Sequence, residues 1–169
     1  MNQKETVSYC LDALKKAGAE KAVCSLTNSE KKELNVEFGE MSLFRTTFDT
    51  SMGMSVIVDQ KKGATSINKT DKDSIDTAVK LVMDMARGSQ PDDAYDIAEN
   101  QSPQTFSKGD ESANQDKMYQ SLEEFVDYVK STYPQIQIEA ATMDFNHSKS
   151  FFQNTNGVDF EVREGMYGF

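Results

Sequence analysis

One histidine, His147, and two cysteines, Cys10 and Cys24, are the whole stock of imidazole and thiol donors in 169 residues. A catalytic zinc commonly takes three protein ligands and leaves one position open. Neither H-E-x-x-H nor C-x-x-C occurs, so His147 is expected to be a strand or surface histidine. Any Ser-His or Cys-His nucleophile would need that same His147. G-x-S-x-G, the P-loop and G-x-G-x-x-G are all missing. With 28 Asp and Glu residues, paired carboxylates are commonplace, and none has EF-hand spacing. Asp71 and Asp73 suit the first turn of a helix, where the dipole favours negative charge. The expectation is no catalytic residue, no metal ligand and no cofactor in this chain.

Charge narrows the remaining classes. The formal net charge is −10, and the lysine pairs Lys15-Lys16, Lys31-Lys32 and Lys61-Lys62 are isolated. Nucleic-acid binding rests on a basic footprint that displaces counterions, so neither nucleic acid nor an anionic membrane surface is an expected partner. The N-terminus shows no basic start followed by an apolar stretch, and no apolar run reaches the roughly 18–20 residues of a membrane span. A cytoplasmic location is expected, with Cys10 and Cys24 as buried reduced thiols.

The elements that would position any site are readable from periodicity. Val7, Cys10, Leu11 and Leu14 predict a helix over 5–17 that stops at Gly18. Ala22, Cys24 and Leu26 predict a strand, and Leu34, Val36 and Phe38 a second one before a turn at Gly39-Glu40. Residues 41–48 and 52–59 follow as further strands, and 64–68 pairs back after a turn over Gln60 to Gly63. Thr70 is expected to cap a helix with the stripe Ile75, Ala78, Val79, Val82 and Ala86. Residues 91–116 are acidic and Pro/Ser/Asn-rich and read as a surface loop. A third helix spans about 115–133, ended by Pro134. Ile136, Ile138 and Ala140 then alternate as a strand.

The last of these signals is "FFQNTNGVDFEV", residues 151–162, two strand arms of a hairpin. Asn156-Gly157 suits a type I′ turn, because both central residues need φ > 0. The fold class is therefore α+β. A mostly antiparallel sheet carries helices on one face in two layers, followed by a helix and the opening strands of a second domain. The domains are expected at 1–100, with an acidic linker over 101–114 and a second, incomplete domain over 115–169. The aromatic ending "EGMYGF" is expected to continue into a longer native protein, because an open strand edge there would promote association.

Residues 39–99 resemble the N-terminal region of the TldD/PmbA peptidase family. The resemblance is carried by Met52-Gly53-Met54, Val56-Ile57-Val58, Lys62-Gly63-Ala64-Thr65-Ser66 and a helix running through Ala86-Arg87. Asp92-Asp93-Ala94-Tyr95 is more similar to the PmbA branch, and Asn154-Thr155-Asn156-Gly157 looks like the family's N-S-x-G segment. Many members place an Arg where this chain has Ser55. The resemblance implies a cytoplasmic protein among modulators of DNA gyrase and peptide-maturation proteases. It also implies assembly with a TldD-type subunit or with itself, and peptide substrates. Zinc would be bound only by a TldD-type subunit, through an H-E-x-x-x-H that this chain lacks. Asn154, Asn156 and Gly157 are the residues that it suggests for peptide or subunit contact. The function expected is a non-catalytic N-terminal portion of such a peptidase subunit. A free-standing acidic domain that binds a basic partner is the alternative.

Overall fold

The computed structural model describes residues 1–169. Its elements run α1 (Gln3–Lys16), β1 (Lys21–Glu37), β2 (Glu40–Val58), β3 (Lys61–Ile67), α2 (Lys72–Gly88), β4 (Gln104–Lys108), α3 (Gln115–Thr132), β5 (Ala140–Asn154) and β6 (Asp159–Gly168). One six-stranded sheet holds the strands in the order β3-β2-β1-β5-β6-β4. The class is α+β, as expected. No helix is long and apolar enough to cross a membrane.

The strands are longer and fewer than the sequence pattern suggests. The signals at 22–26 and 34–36 merge into β1, and those at 41–48 and 52–59 merge into β2. The turn between them is Phe38-Gly39, not Gly39-Glu40. Both residues have positive φ, 52° and 78°, as a two-residue type I′ turn requires. Phe38 is thereby lifted from the strand and is 67% exposed. Asp59 and Gln60, at 50° and 61°, make a second such turn into β3. β3 then pairs antiparallel with β2 from Met52↔Ile67 to Val58↔Lys61.

The other pairings follow from neighbours across the sheet. Thr155 N–H donates to Ala22 O at 2.9 Å. The Thr27 and Ser150 hydroxyls are 2.8 Å apart, and Thr142 Oγ1 donates to Asn35 Oδ1 at 2.7 Å. Numbers rise along β1 as they fall along β5, so the pair is antiparallel. At the far edge Phe106 packs edge-on against Phe160, and Gly109 lies against Gly165. Here both sets rise together, so β4 runs parallel to β6 in an otherwise antiparallel sheet. The segment 101–114, expected as an acidic linker, thus supplies a strand. The expected strand at 136–139 does not form, and β5 starts at Ala140.

Two compact units divide the chain. One comprises 1–28, 49–106 and 149–162, and the other 29–48, 107–148 and 163–169. In the first, Val7, Cys10 and Leu14 of α1 and Ile75, Val79 and Val82 of α2 cover Ala22, Cys24, Met52, Met54 and Val56. Each such side chain contributes about 1.5–3 kcal/mol of burial when large and apolar. Asn2 caps α1 in a full capping box with Glu5. Asp71, rather than Thr70, caps α2, its carboxylate accepting from Ser74 N–H at 2.9 Å. Gly63 lets α2 settle directly on β3. A Cβ there would stand 2.3 Å from Val82 O and 2.7 Å from Ala86 N, both backbone atoms. In the second unit Met118, Leu122 and Val126 of α3 close over Leu34, Val36 and Phe145.

Cys10 and Cys24 are free and buried, as expected. Cys24 Sγ donates to Cys10 Sγ at 3.0 Å. That hydrogen bond, then burial, pushes the Cys24 thiol above its ordinary range. A thiol reagent should therefore find neither cysteine in the native protein and both after denaturation, read as absorbance of the released chromophore. Gly63→Ala should destabilise by about 1–3 kcal/mol or more, because a helix backbone must retreat. Gly88→Ala, whose Cβ meets nothing within 4 Å, should leave the urea midpoint unchanged or raise it.

Candidate functional site

The hairpin residues singled out by sequence sit together at the β5–β6 turn, in the first unit. The turn differs from the type I′ expected: only Gly157 has positive φ, at 95°. Gly157 N–H donates to Asn154 O, and Asn154 N–H to Val158 O, each at 3.2 Å. This is the three-residue hairpin loop that ends in a left-handed glycine. Asn154 is buried, and its Oδ1 accepts from Asn156 N–H and Val158 N–H, both at 3.0 Å. Its Nδ2 donates to Ala98 O at 2.8 Å, and Asn156 Nδ2 reaches the same carbonyl at 3.1 Å. The turn's polar atoms thus fasten the segment through Ala98 to the hairpin.

An unpaired strand edge lies elsewhere. β3 pairs only with Met52–Val58, so the outer edge of β2 before Met52 has no neighbouring strand. Within the second unit this leaves Glu40–Phe48, every residue of it exposed. Leu43 is 47%, Phe44 48% and Phe48 76% exposed. Apolar side chains thus stand on both faces of this stretch, which breaks the alternation of a half-buried strand. That doubled apolar pattern is the available signal in "MSLFRTTF", whose residue types alone predict only a strand.

A groove of about 460 Å³ runs along this edge. Met41, Ser42, Leu43 and Phe44 all line it, with Leu34 of β1 and Tyr119 of α3. Successive strand side chains point to opposite faces. Four in a row can line one groove only where the wall is the edge itself. A second groove of about 280 Å³ shares Met41 and Tyr119 and is bordered by Glu40, Glu123, Asp127 and Lys130. Lys130 Nζ is committed to the turn: it donates to Gly39 O at 2.8 Å and stays 3.9 Å from Glu40.

Charge beside the edge is tied down on its β1 side. Glu33, buried, accepts from Asn35 Nδ2 at 3.0 Å and pairs with Lys31 at 3.0 Å and Arg45 at 2.8 Å. The Asn35 hydrogen bond, then the Lys31 contact and the Arg45 charge, hold its carboxyl at about 2. Arg45 is the one cation on the open stretch of β2, and this contact draws its guanidinium away from the groove.

A larger groove in the first unit, about 700 Å³, lies over Ile67 and Leu81. Two of its hydroxyls are already engaged: Ser74 Oγ donates to Asp71 at 2.7 Å and Thr77 Oγ1 to Asp73 O at 2.8 Å. No group of three or more His, Cys, Asp or Glu could hold a metal ion. His147 lies half-buried in β5 and the two thiols face the apolar core, so zinc finds no fitting ligand set here.

A carboxyl held below its unfolded range stabilises the fold fully above the unfolded value. That contribution is lost as pH falls toward the folded one. Stability should therefore decline between pH about 4.5 and about 2 in part through Glu33. Glu33→Gln should flatten that part of the pH–stability curve measured by urea denaturation.

The family model described as PmbA/TldA metallopeptidase domain 1 matches residues 22–86. A curated relative, the metalloprotease PmbA homolog of Haemophilus influenzae, is 24% identical over 163 residues, covering 96% of this chain and 34% of the relative. TldE from Thermococcus kodakarensis is similar in fold, with a TM-score of 0.74 at 14% identity over 95% of this chain and 37% of that one. A protein described as a modulator of DNA gyrase from Bacteroides thetaiotaomicron gives a TM-score of 0.76 at 18% identity, over 97% and 39%. The chain thus spans little more than a third of the length of these relatives. By the matched first-domain segment, the likeness to a PmbA homolog and the shared fold, this chain is similar to the first third of TldD/PmbA proteins.

Proposed function

We propose that this chain is a non-catalytic N-terminal portion of a PmbA/TldD-like peptidase subunit, nearer the PmbA branch. It would hold peptide substrate and contribute to subunit assembly in proteolysis or peptide maturation. The observation that carries the reading is the unpaired edge of β2 over Glu40–Phe48, beside an apolar groove. An added strand bonds through its backbone, so such an edge takes extended peptides. Hydrolysis and zinc belong, in this reading, to a TldD-type subunit working in the cytoplasm. The Asn154–Gly157 turn enters as a rigid clip whose outer face, Asn156-Gly157, is available to a partner subunit.

The test is binding of a labelled unfolded peptide and of the same peptide N-methylated at alternate residues. Methylation removes backbone donors and blocks strand pairing. Binding should drop at least tenfold for one of the two methylation registers. Equal binding of both registers and the parent peptide would exclude strand addition. Adding this chain to a TldD-type subunit should also raise peptide cleavage.

The net charge of −10 favours a second reading, an acidic domain that docks a basic partner. Binding that collapses with added salt while ignoring N-methylation would select it.

A further inference from the structure

The two grooves beside β2 differ in chemistry and adjoin one another. The first is walled by Leu34, Met41, Leu43, Phe44 and Tyr119, with Asp116 as its single charged lining residue. The second carries the carboxylates Glu40, Glu123 and Asp127 against one cation, Lys130, and that ammonium is drawn to the Gly39 carbonyl. Glu123 and Asp127 make no ion pair. The grooves share Met41 and Tyr119 as a common wall. An extended peptide on an edge sends every second side chain to the same side, roughly 6.5–7 Å apart. Adjoining grooves that meet at one wall suit two such side chains.

We propose that these grooves are paired side-chain subsites. They select an extended peptide that carries a large apolar residue and, two positions away, a lysine or arginine. The inference rests on the strand-docking reading above and adds to it the class of peptide recognised. Backbone pairing alone is blind to sequence, and the grooves supply the discrimination. The apolar residue removes Met41, Leu43 and Tyr119 from water, where all three are more than a third exposed. The cation meets the unpaired carboxylates of α3. Its aliphatic stem lies along Met41, as long basic side chains do on apolar surface.

The experiment uses the full chain and fluorescence anisotropy with four labelled ten-residue Thr/Ser peptides. They carry Leu and Lys two apart, Ser and Lys, Leu and Glu, or Ser and Glu. The Leu/Lys peptide should bind at least tenfold tighter than the Ser/Lys or Leu/Glu peptides. Added salt should erase the Lys preference and spare the Leu preference. Leu43→Gln should remove the Leu preference, and Glu123→Gln with Asp127→Asn the Lys preference, with thermal melts unchanged because these side chains are exposed. If all four peptides bind equally and N-methylation still weakens them, the subsites are overturned and the strand edge stands. If no peptide binds, both readings fall. A preference that survives in the variants places selection elsewhere and also overturns the proposal.

Discussion

A strand's N–H and C=O groups must find partners, and β3 offers β2 only seven residues of them. β2 itself is nineteen residues long. That shortfall organises the molecule. β3 stops at Ile67 because the chain must turn at once into α2, and α2 is pinned by its backbone approach to Gly63. Where β3 covers β2, Met52, Met54 and Val56 sink into a core. Where it does not, the strand keeps a row of unsatisfied backbone groups and exposes its side chains on both faces. Packed core and open edge are two halves of one strand, separated by where its neighbour ends.

Much of the fold was legible because helices announce themselves locally. The apolar stripes of α1, α2 and α3 mark them within a few residues, since burial at a period near 3.6 has few other meanings. Sheet detail was less legible. Phe38 continued an alternating pattern, but the hairpin required a residue in the left-handed region there, and turn geometry overrode side-chain preference. β4 was hidden in an acidic, proline-bearing segment, because every side chain of Gln104–Lys108 is exposed. Nothing about burial could have marked it; its partner β6 lies more than fifty residues away.

The candidate site shows the same split. Asn154, Asn156 and Gly157 stood out by residue type, and the structure explains their types by hydrogen bonds within the chain. The edge at Glu40–Phe48 carries no distinctive residue. Its character comes from a partner that is missing, and pairing is a property of the whole sheet. A single sequence reports which strands exist far better than which of them has an open side.

The antiparallel pairing of β1 with β5 reaches across roughly a hundred residues. Its consequence concerns synthesis. A ribosome adds about 5–20 residues per second, so β1 waits on the order of 5–20 seconds for β5 to emerge. During that interval the β1–β2 hairpin has one side of β1 open as well as the edge of β2. A nascent chain of this kind is a natural client for whatever shields strands at the tunnel exit, and slower elongation before Ala140 would lengthen its vulnerable period.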